Sequence, residues 1–472
     1  MLSYSDKRTF KDAVAALNSL PSNEQVLAKI RSSGVDSGPL QLEENVEYLQ
    51  RIGYDVSELN KLNVIHITGT KGKGSTSAFT SSILSTLAPT AKVGLYTSPH
   101  LVSVAERIRI NGVPISEEKF SMYFWQVWDR FEANPTVKRD WTTQFPAYFR
   151  FLTFMALHVF ASEKVDATIL EVGIGGLYDT TNVVPAPITT GITTLGIDHT
   201  PVLGNTIQQI AWQKGGIYKE NVPALSVVQP FEESTPVLQK CATDAKASGF
   251  KIIPLNPETS SITLGLAGEH QRVNASLAVA LVESFLSGRL PNDSPFKSVS
   301  PFSSALELPS SIVRGLENAR WPGRCQISKD PHNKKLQYFL DGAHTVDSLS
   351  VCGTWFSQTS HSDNRTLVFN CTSGRSGEAL LGSLIESMRD VEFDTVIFCT
   401  NAVHKSDWSS DVTVQNELKE AWITLGNDES RVSIFTNIEE ALGTIRSTEG
   451  DVLVTGSLHL VGGFIEVAGI PL

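Results

Sequence analysis

Residues 64–79 read VIHITGTKGKGSTSAF: an apolar strand, a glycine-rich turn and the first turns of a helix. A strand that passes into a helix through a tight glycine turn belongs at the end of an α/β sheet. Gly69, Gly72 and Gly74 permit positive φ and close backbone approach to a ligand. Inward-turned N–H groups ahead of a helix N-terminus make an anion site. Lys73 adds a cation for β- and γ-phosphates, and Ser75 and Thr76 add hydroxyls for phosphate or metal. The spacing departs from G-x-x-x-x-G-K-[ST], because Gly69 lies only three residues before Gly72 and Gly74 separates Lys73 from Ser75. A glycine turn that binds nothing has no use for the two lysines and two hydroxyl residues gathered here. The phosphate reading is the better one.

The same alternation continues along the chain. Strand candidates are Val64–Thr68, Val93–Thr97, Ala167–Val172, Ile188–Thr193 and Ala224–Val228, with helical patterns between them. Ser116 caps a helix whose apolar positions, Phe120, Tyr123, Phe124, Val127, Trp128 and Phe131, line one face. That aromatic stripe reads as core. RIRINGVPI, around Asn111-Gly112, reads as a hairpin. Residues 288–311 are rich in Ser and Pro without a sustained period and read as a surface loop. Alternation restarts at Leu336–Leu340, Thr366–Cys371, Thr395–Thr400, Arg431–Thr436 and Val452–Thr455. Strands alternating with helices imply mostly parallel sheets covered on both faces. A chain of 472 residues exceeds one compact core. Two α/β domains are expected, 1–318 and 319–472, with the linker near Trp321-Pro322-Gly323.

Composition removes several functions. A net charge of −11 argues against general nucleic-acid binding, so an anionic substrate must be met by local cations. No run approaches the roughly 20 apolar residues that span a bilayer. The first residues, MLSYSDKRTFKDAVAALNSL, lack an apolar secretion core and the Arg-rich, acid-poor character of an organelle signal. The five cysteines are scattered, with no C-x-x-C, and read as reduced buried thiols.

Other side chains gather where strands end. Glu171, in DATILEVGIGG, suits magnesium, which takes oxygen ligands and keeps water and phosphate; a carboxylate satisfied by local N–H groups is the equal alternative. Asp198 and His199 close the next strand candidate, and a ligand or phosphate role is favoured there over a structural one. Ser98, in TSPHL, reads by itself as a turn residue, and Lys214, in AWQKGGI, as a solvated lysine. Asp341 and His344 end the strand LQYFL. Arg324, in WPGR, is either a surface charge or a phosphate clamp beside the linker.

GTKGKGST, TSPHL, ERIRING, EVGIGG-x-x-D-x-TN, GIDHT, AWQKGGI, GEHQ, WPGR, DGAHT and VTGSLHLVGG occur in this order. Together they resemble the folylpolyglutamate synthase family of the Mur ligase superfamily, in its eukaryotic form, from about Arg51 to Gly463. The resemblance implies an N-terminal P-loop ATPase-like domain with a mostly parallel sheet and a smaller Rossmann-like C-terminal domain. It implies an ATP-dependent ligase adding γ-linked L-glutamate to tetrahydrofolates through an acyl phosphate. Carried over residue by residue, Gly72, Lys73, Gly74, Ser75 and Thr76 bind ATP phosphates. Gln271 and Asn274 lie near the base, and Arg324 and Asp341 also reach ATP. Ser98, Glu171, His199 and Lys214 hold magnesium at two sites, Lys214 as a carboxylated lysine. Lys73, Glu171, His199, Lys214 and His344 are the catalytic set, and Pro146, Tyr148 and Phe149 belong to a folate surface. A potassium or other monovalent cation is a further expectation. The partners implied are ATP, reduced folates and L-glutamate, handled by a monomer in the cytoplasm with a mitochondrial pool. Closure of the second domain, with a hinge near Gly323, would shield the acyl phosphate from water. The rivals are a dihydrofolate synthase, which uses the same chemistry on dihydropteroate, and a nucleotide-hydrolysing switch, which would normally keep an uninterrupted G-K-[ST].

Overall fold

The computed structural model describes residues 8–22, 38–135, 142–304, 307–371, 374–388, 391–404 and 411–471. The chain divides into two compact units. The larger is Met1–His100, Val104–Gly265 and His270–Arg320; the smaller is Leu101–Ser103, Leu266–Glu269 and Trp321–Leu472.

The larger unit is built on strands β1 (Val64–Thr68), β2 (Val93–Tyr96), β3 (Ile108–Ile110), β4 (Val113–Pro114), β5 (Ala167–Glu171), β6 (Thr189–Ile192), β7 (Pro223–Val227) and β8 (Gly249–Ile253). Their order is β4-β3-β2-β5-β1-β6-β7-β8. From β2 to β8 every neighbour is parallel, while β3 and β4 add the antiparallel hairpin. Asn111 and Gly112 both take positive φ at its tip, 52° and 79°, as a tight two-residue turn requires. Strands β1, β2, β5 and β6 are buried along their whole length, as strands covered on both faces are.

The register sets the functional end. Ile67 pairs with Glu171 and with Gly191, and Tyr96 pairs with Leu170. The carboxyl ends of β2, β5, β1 and β6 therefore emerge side by side, where parallel sheets present ligands. A helix over Lys73–Leu87 follows β1 and buries Phe79 and Ile83. The aromatic stripe is core: Phe120, Phe124 and Phe131 of helix Glu117–Ala133 pack with Phe151 of helix Tyr148–Glu163. Ser116 caps the first of these helices by accepting the Lys119 N–H at 3.2 Å.

The smaller unit has β9 (Gln326–Lys329), β10 (Leu336–Leu340), β11 (Arg365–Phe369), β12 (Thr395–Cys399), β13 (Val432–Phe435) and β14 (Gly450–Thr455). Their order is β13-β12-β11-β14-β10-β9, parallel except for β9. Two apolar clusters fill it, one around Phe339, Phe356 and Trp422 and one around Tyr338, Leu460 and Phe464. All five cysteines are free thiols; Cys325, Cys352, Cys371 and Cys399 are buried here, and Cys241 is half-buried in the larger unit.

Two sequence expectations need correction. Strands β8 and β9 were not anticipated, because nearly every position along both is at least partly exposed and no sustained apolar run marks them. Segment 288–311 is more than a surface loop: Leu290, Phe296 and Leu308 are buried, and Phe296 meets Phe285 edge-on at 5.3 Å. These apolar side chains are anchored singly, so no period reveals them.

Candidate active site

Gly72 heads the helix Lys73–Leu87 in the left-handed conformation, φ 86°. A side chain here would force a neighbour to move: a Cβ would lie 2.1 Å from Asn274 Oδ1. Asn274 Nδ2 donates to Gln271 Oε1 at 2.9 Å, and Gln271 Nε2 donates to Ser75 Oγ at 3.3 Å. Gln271 and Asn274 thus brace the loop through a buried chain of amides. The other side of the loop is tied to the end of β6. Thr70 and Lys71 donate their N–H groups to Thr194 O at 3.0 and 3.1 Å, and Thr193 Oγ1 donates to Lys71 O at 2.6 Å. The hydroxyl of Thr76 is buried and has no hydrogen-bond partner.

Two lysines share one acceptor. Lys73 Nζ donates to Gly69 O at 3.0 Å and Lys214 Nζ donates to the same oxygen at 2.8 Å. Lys214 is buried on helix Ile207–Gly215. It is not the solvated lysine its position alone suggested. Burial, and then the charge of Lys73, push its ammonium well below the ordinary lysine range. A lowered lysine pKa favours the free-amine form, which is the form that reacts with carbon dioxide to give a carbamate.

Glu171 ends β5 with its side chain buried, and its Oε2 accepts the Ser98 N–H at 3.1 Å. Ser98 follows β2 and precedes a cis proline, Pro99. His199 and Asp198 follow β6; both imidazole and carboxylate are partly exposed, 3.9 Å apart, and His199 takes a left-handed φ of 51° before the short helix Thr200–Leu203. The structure therefore places Ser98, Glu171, the glycine loop and His199 on successive strand ends of one sheet.

Several organising residues escaped the sequence reading. Asp179 accepts four hydrogen bonds: Gly173 N–H and Ile174 N–H at 3.1 Å, Thr181 N–H at 3.0 Å and Thr181 Oγ1–H at 2.6 Å. It fixes the glycine turn after Glu171, although burial still lifts its carboxyl above the usual range. Since Thr181 gives its proton to Asp179, His66 Nε2–H donates to Thr181 Oγ1 at 2.8 Å. His66 is fully buried on β1, its Nδ1 is unpartnered, and burial lowers its pKa to about 3. The motif containing Asp179 was visible; the partner on β1, over a hundred residues earlier, was not.

Of the folate candidates, Pro146 and Phe149 are buried, and the Phe149 ring packs on Gly173, whose Cβ would meet it at 2.5 Å. Tyr148 is half-buried beneath the Arg107 guanidinium, 5.4 Å from the ring centroid. In the smaller unit, Asp341 accepts the Cys325 N–H at 2.7 Å and the Ala343 N–H at 2.9 Å. Its carboxylate braces the turn after β10. His344 Nδ1–H donates to Gly342 O at 2.8 Å, and Arg324 Nη1 donates to Gly323 O at 3.3 Å.

Among the described residues no three His, Cys, Asp or Glu side chains cluster as a metal cage. The donors present are a buried carboxylate, the serine beside it and the orphaned Thr76 hydroxyl. That set fits magnesium, which takes few protein oxygens and completes its shell with water and phosphate. Among the described residues no helix is long and apolar enough to cross a membrane.

The family model described as "Dihydrofolate synthetase, C-terminal domain" matches residues 324–467. The curated folylpolyglutamate synthase of Saccharomyces cerevisiae (strain AWRI796) is 41% identical over 98% of this chain and 87% of its own length. Two crystal structures share the fold. Folylpolyglutamate synthase of Thermotoga maritima has a TM-score of 0.69 at 26% identity, over 91% of this chain and 93% of that one. The Mycobacterium tuberculosis enzyme, complexed with ADP and AMPPCP, has a TM-score of 0.70 at 25% identity, over 92% and 98%. With a relative this similar over nearly its whole length, the chain belongs to the folylpolyglutamate synthase family.

Proposed function

We propose that this ATP-dependent folate–glutamate ligase activates the γ-carboxylate of a reduced folate as an acyl phosphate at the β1 loop. The observation that carries the reading is the row of strand ends, where an anion loop with two lysines stands beside a buried carboxylate. The neighbour solved with ADP and AMPPCP supports ATP as the nucleotide.

In the first step a carboxylate oxygen of the folate attacks the γ-phosphorus and the bond to ADP breaks. Backbone N–H groups of Gly72–Thr76 and the Lys73 ammonium hold the phosphates, and Gln271 and Asn274 keep the loop in its binding shape. In the second step the amine of glutamate attacks the acyl carbon. The carbon–oxygen bond to phosphate breaks, and the amine proton is lost to solvent or a nearby base. Glu171, Ser98 and His199, with Lys214 as a carbamate, would hold magnesium. When bound, the metal supplies charge neutralisation between the two anions that must meet. On the smaller unit, Arg324 and Asp341 are assigned to ATP, and His344 to the glutamate step. Tyr148, with one face under Arg107, is the folate-surface candidate whose ring is not wholly taken by core.

The family model matched at residues 324–467 keeps dihydrofolate synthase as a second reading. One experiment separates them. The protein is incubated with ATP, magnesium and glutamate plus either tetrahydrofolate or dihydropteroate, and ADP and product mass are followed. Glutamate-dependent ADP release with tetrahydrofolate alone is expected. Release with dihydropteroate alone would overturn the reading, and release needing neither glutamate nor pterin would indicate a hydrolase.

A further inference from the structure

Arg107 is a buried cation without an anion. Only 8% of its surface is exposed. Its Nε donates to His100 Nδ1 at 3.0 Å, and one face of the guanidinium covers Tyr148. Among the described residues no carboxylate lies within ion-pair distance of it, and its Nη1 and Nη2 make no hydrogen bond. Two positions away, Arg109 has Glu106 at 3.8 Å and the carbonyls of Glu106 and Gly112. The contrast shows that this segment can satisfy a buried arginine when no ligand is involved. Removing a guanidinium from water without pairing it is strongly unfavourable. A site that keeps it so is arranged for an anion that arrives with a ligand.

Its place in the fold says which anion. The carbonyl of Arg107 accepts the Thr97 N–H at 3.0 Å, so the residue flanks Thr97-Ser98, and the Ser98 N–H binds Glu171. Arg107 therefore enters β3 with only β2 between it and β5, the strand that ends in the carboxylate assigned to metal. With Nε and one face occupied, the free edge is the Nη1–Nη2 fork, which matches two carboxylate oxygens.

We propose that Arg107 binds the α-carboxylate of the terminal glutamate of the folate substrate and thereby presents the γ-carboxylate for activation. The reacting carboxylate stays free of the arginine, which would otherwise withdraw its electrons. Arg107 becomes a determinant of γ-linkage, and of preference for glutamylated folates over dihydropteroate, which carries a single carboxylate. His100 and Tyr148 are positioning residues that hold the fork in place.

The inference rests on the ligase reading, and its test keeps the two apart. Wild-type turnover of tetrahydrofolate is measured first, and an inactive wild type would overturn the ligase reading. Then kcat/KM is compared for tetrahydrofolate and for tetrahydropteroyl-4-aminobutyrate, which keeps the γ-carboxylate and lacks the α-carboxylate, in wild type and Arg107→Gln. Loss of a charge-assisted bidentate pair predicts a fall of about 100-fold for wild type on the analogue and for Arg107→Gln on tetrahydrofolate. The two losses should not add: on the analogue the variant should be within about threefold of wild type. KM for ATP and for glutamate should be unchanged, and Arg107→Lys should recover part of the loss on tetrahydrofolate only. Equal penalties of the variant on both substrates would overturn the proposal and leave Arg107 a clamp for His100 and Tyr148. A wild type indifferent to the missing α-carboxylate would overturn it without any variant.

Discussion

Gly72→Ala tests whether the loop's shape, rather than its charge alone, holds nucleotide. The new methyl carries two costs. Gly72 is left-handed at φ 86°, which costs an alanine about 1–2 kcal/mol. Its Cβ would also stand 2.1 Å from Asn274 Oδ1, so Asn274 or the loop must move; such overpacking costs about 1–3 kcal/mol. Moving Asn274 breaks its bond to Gln271 and loosens Gln271 from Ser75. If the loop escapes the strain by abandoning its binding conformation, the combined 2–5 kcal/mol appears in nucleotide affinity. The expected Kd for a non-hydrolysable ATP analogue, by calorimetry, is weaker by roughly 30- to 4000-fold. Asn274→Ala in the same protein removes the overlap but keeps the backbone cost. Adding Gly72→Ala to Asn274→Ala should therefore cost about 1–3 kcal/mol less than adding it to wild type. A Kd within threefold of wild type, or no such coupling, would refute the claim that Asn274 braces the loop through Gly72.

Three further outcomes are expected. Lys73→Ala should lower kcat by about 100- to 1000-fold in an ADP-release assay while leaving the thermal midpoint nearly unchanged, and Glu171→Gln should likewise abolish turnover without unfolding. His66, neutral when folded, takes a proton only in the unfolded chain between its ordinary 6.5 and about 3, so stability should fall as pH drops through that window. At pH 5 this amounts to about 2 kcal/mol. His66→Leu should therefore lose less stability between pH 7 and pH 5 in urea titrations, and parallel curves would contradict the account. Protein stripped of carbon dioxide should gain activity on adding bicarbonate if Lys214 works as a carbamate, and Lys214→Met should show no such response.

The sequence exposed what is local and concealed what is paired at long range. Buried parallel strands such as VIHIT and ATILE advertise themselves as short apolar runs, and the helix after Ser116 shows its period plainly. Edge strand GFKII is mostly exposed, so no buried face marks it as a strand. Around the candidate site, the glycine loop, Glu171 and Lys214 carry motifs, yet nothing local marked Lys214 as buried or as sharing the Gly69 carbonyl with Lys73. The His66–Thr181–Asp179 relay joins β1 to the turn after β5 through side chains that no spacing connects. Arg107 lay in plain view within ERIRING; its missing counter-ion becomes visible only when its neighbours are in place.

The distribution of thiols makes the two units separately readable in one experiment. Cys241 is half-buried in the larger unit, whereas the other four are buried inside the smaller one; burial raises the pKa of all five thiols, that of Cys399 to about 12. A thiol-reactive reagent should label one site quickly in the native protein. Four more labels should follow only as fast as the smaller unit opens. Counting added masses over time then gives the opening rate of that unit alone, with no engineered probe.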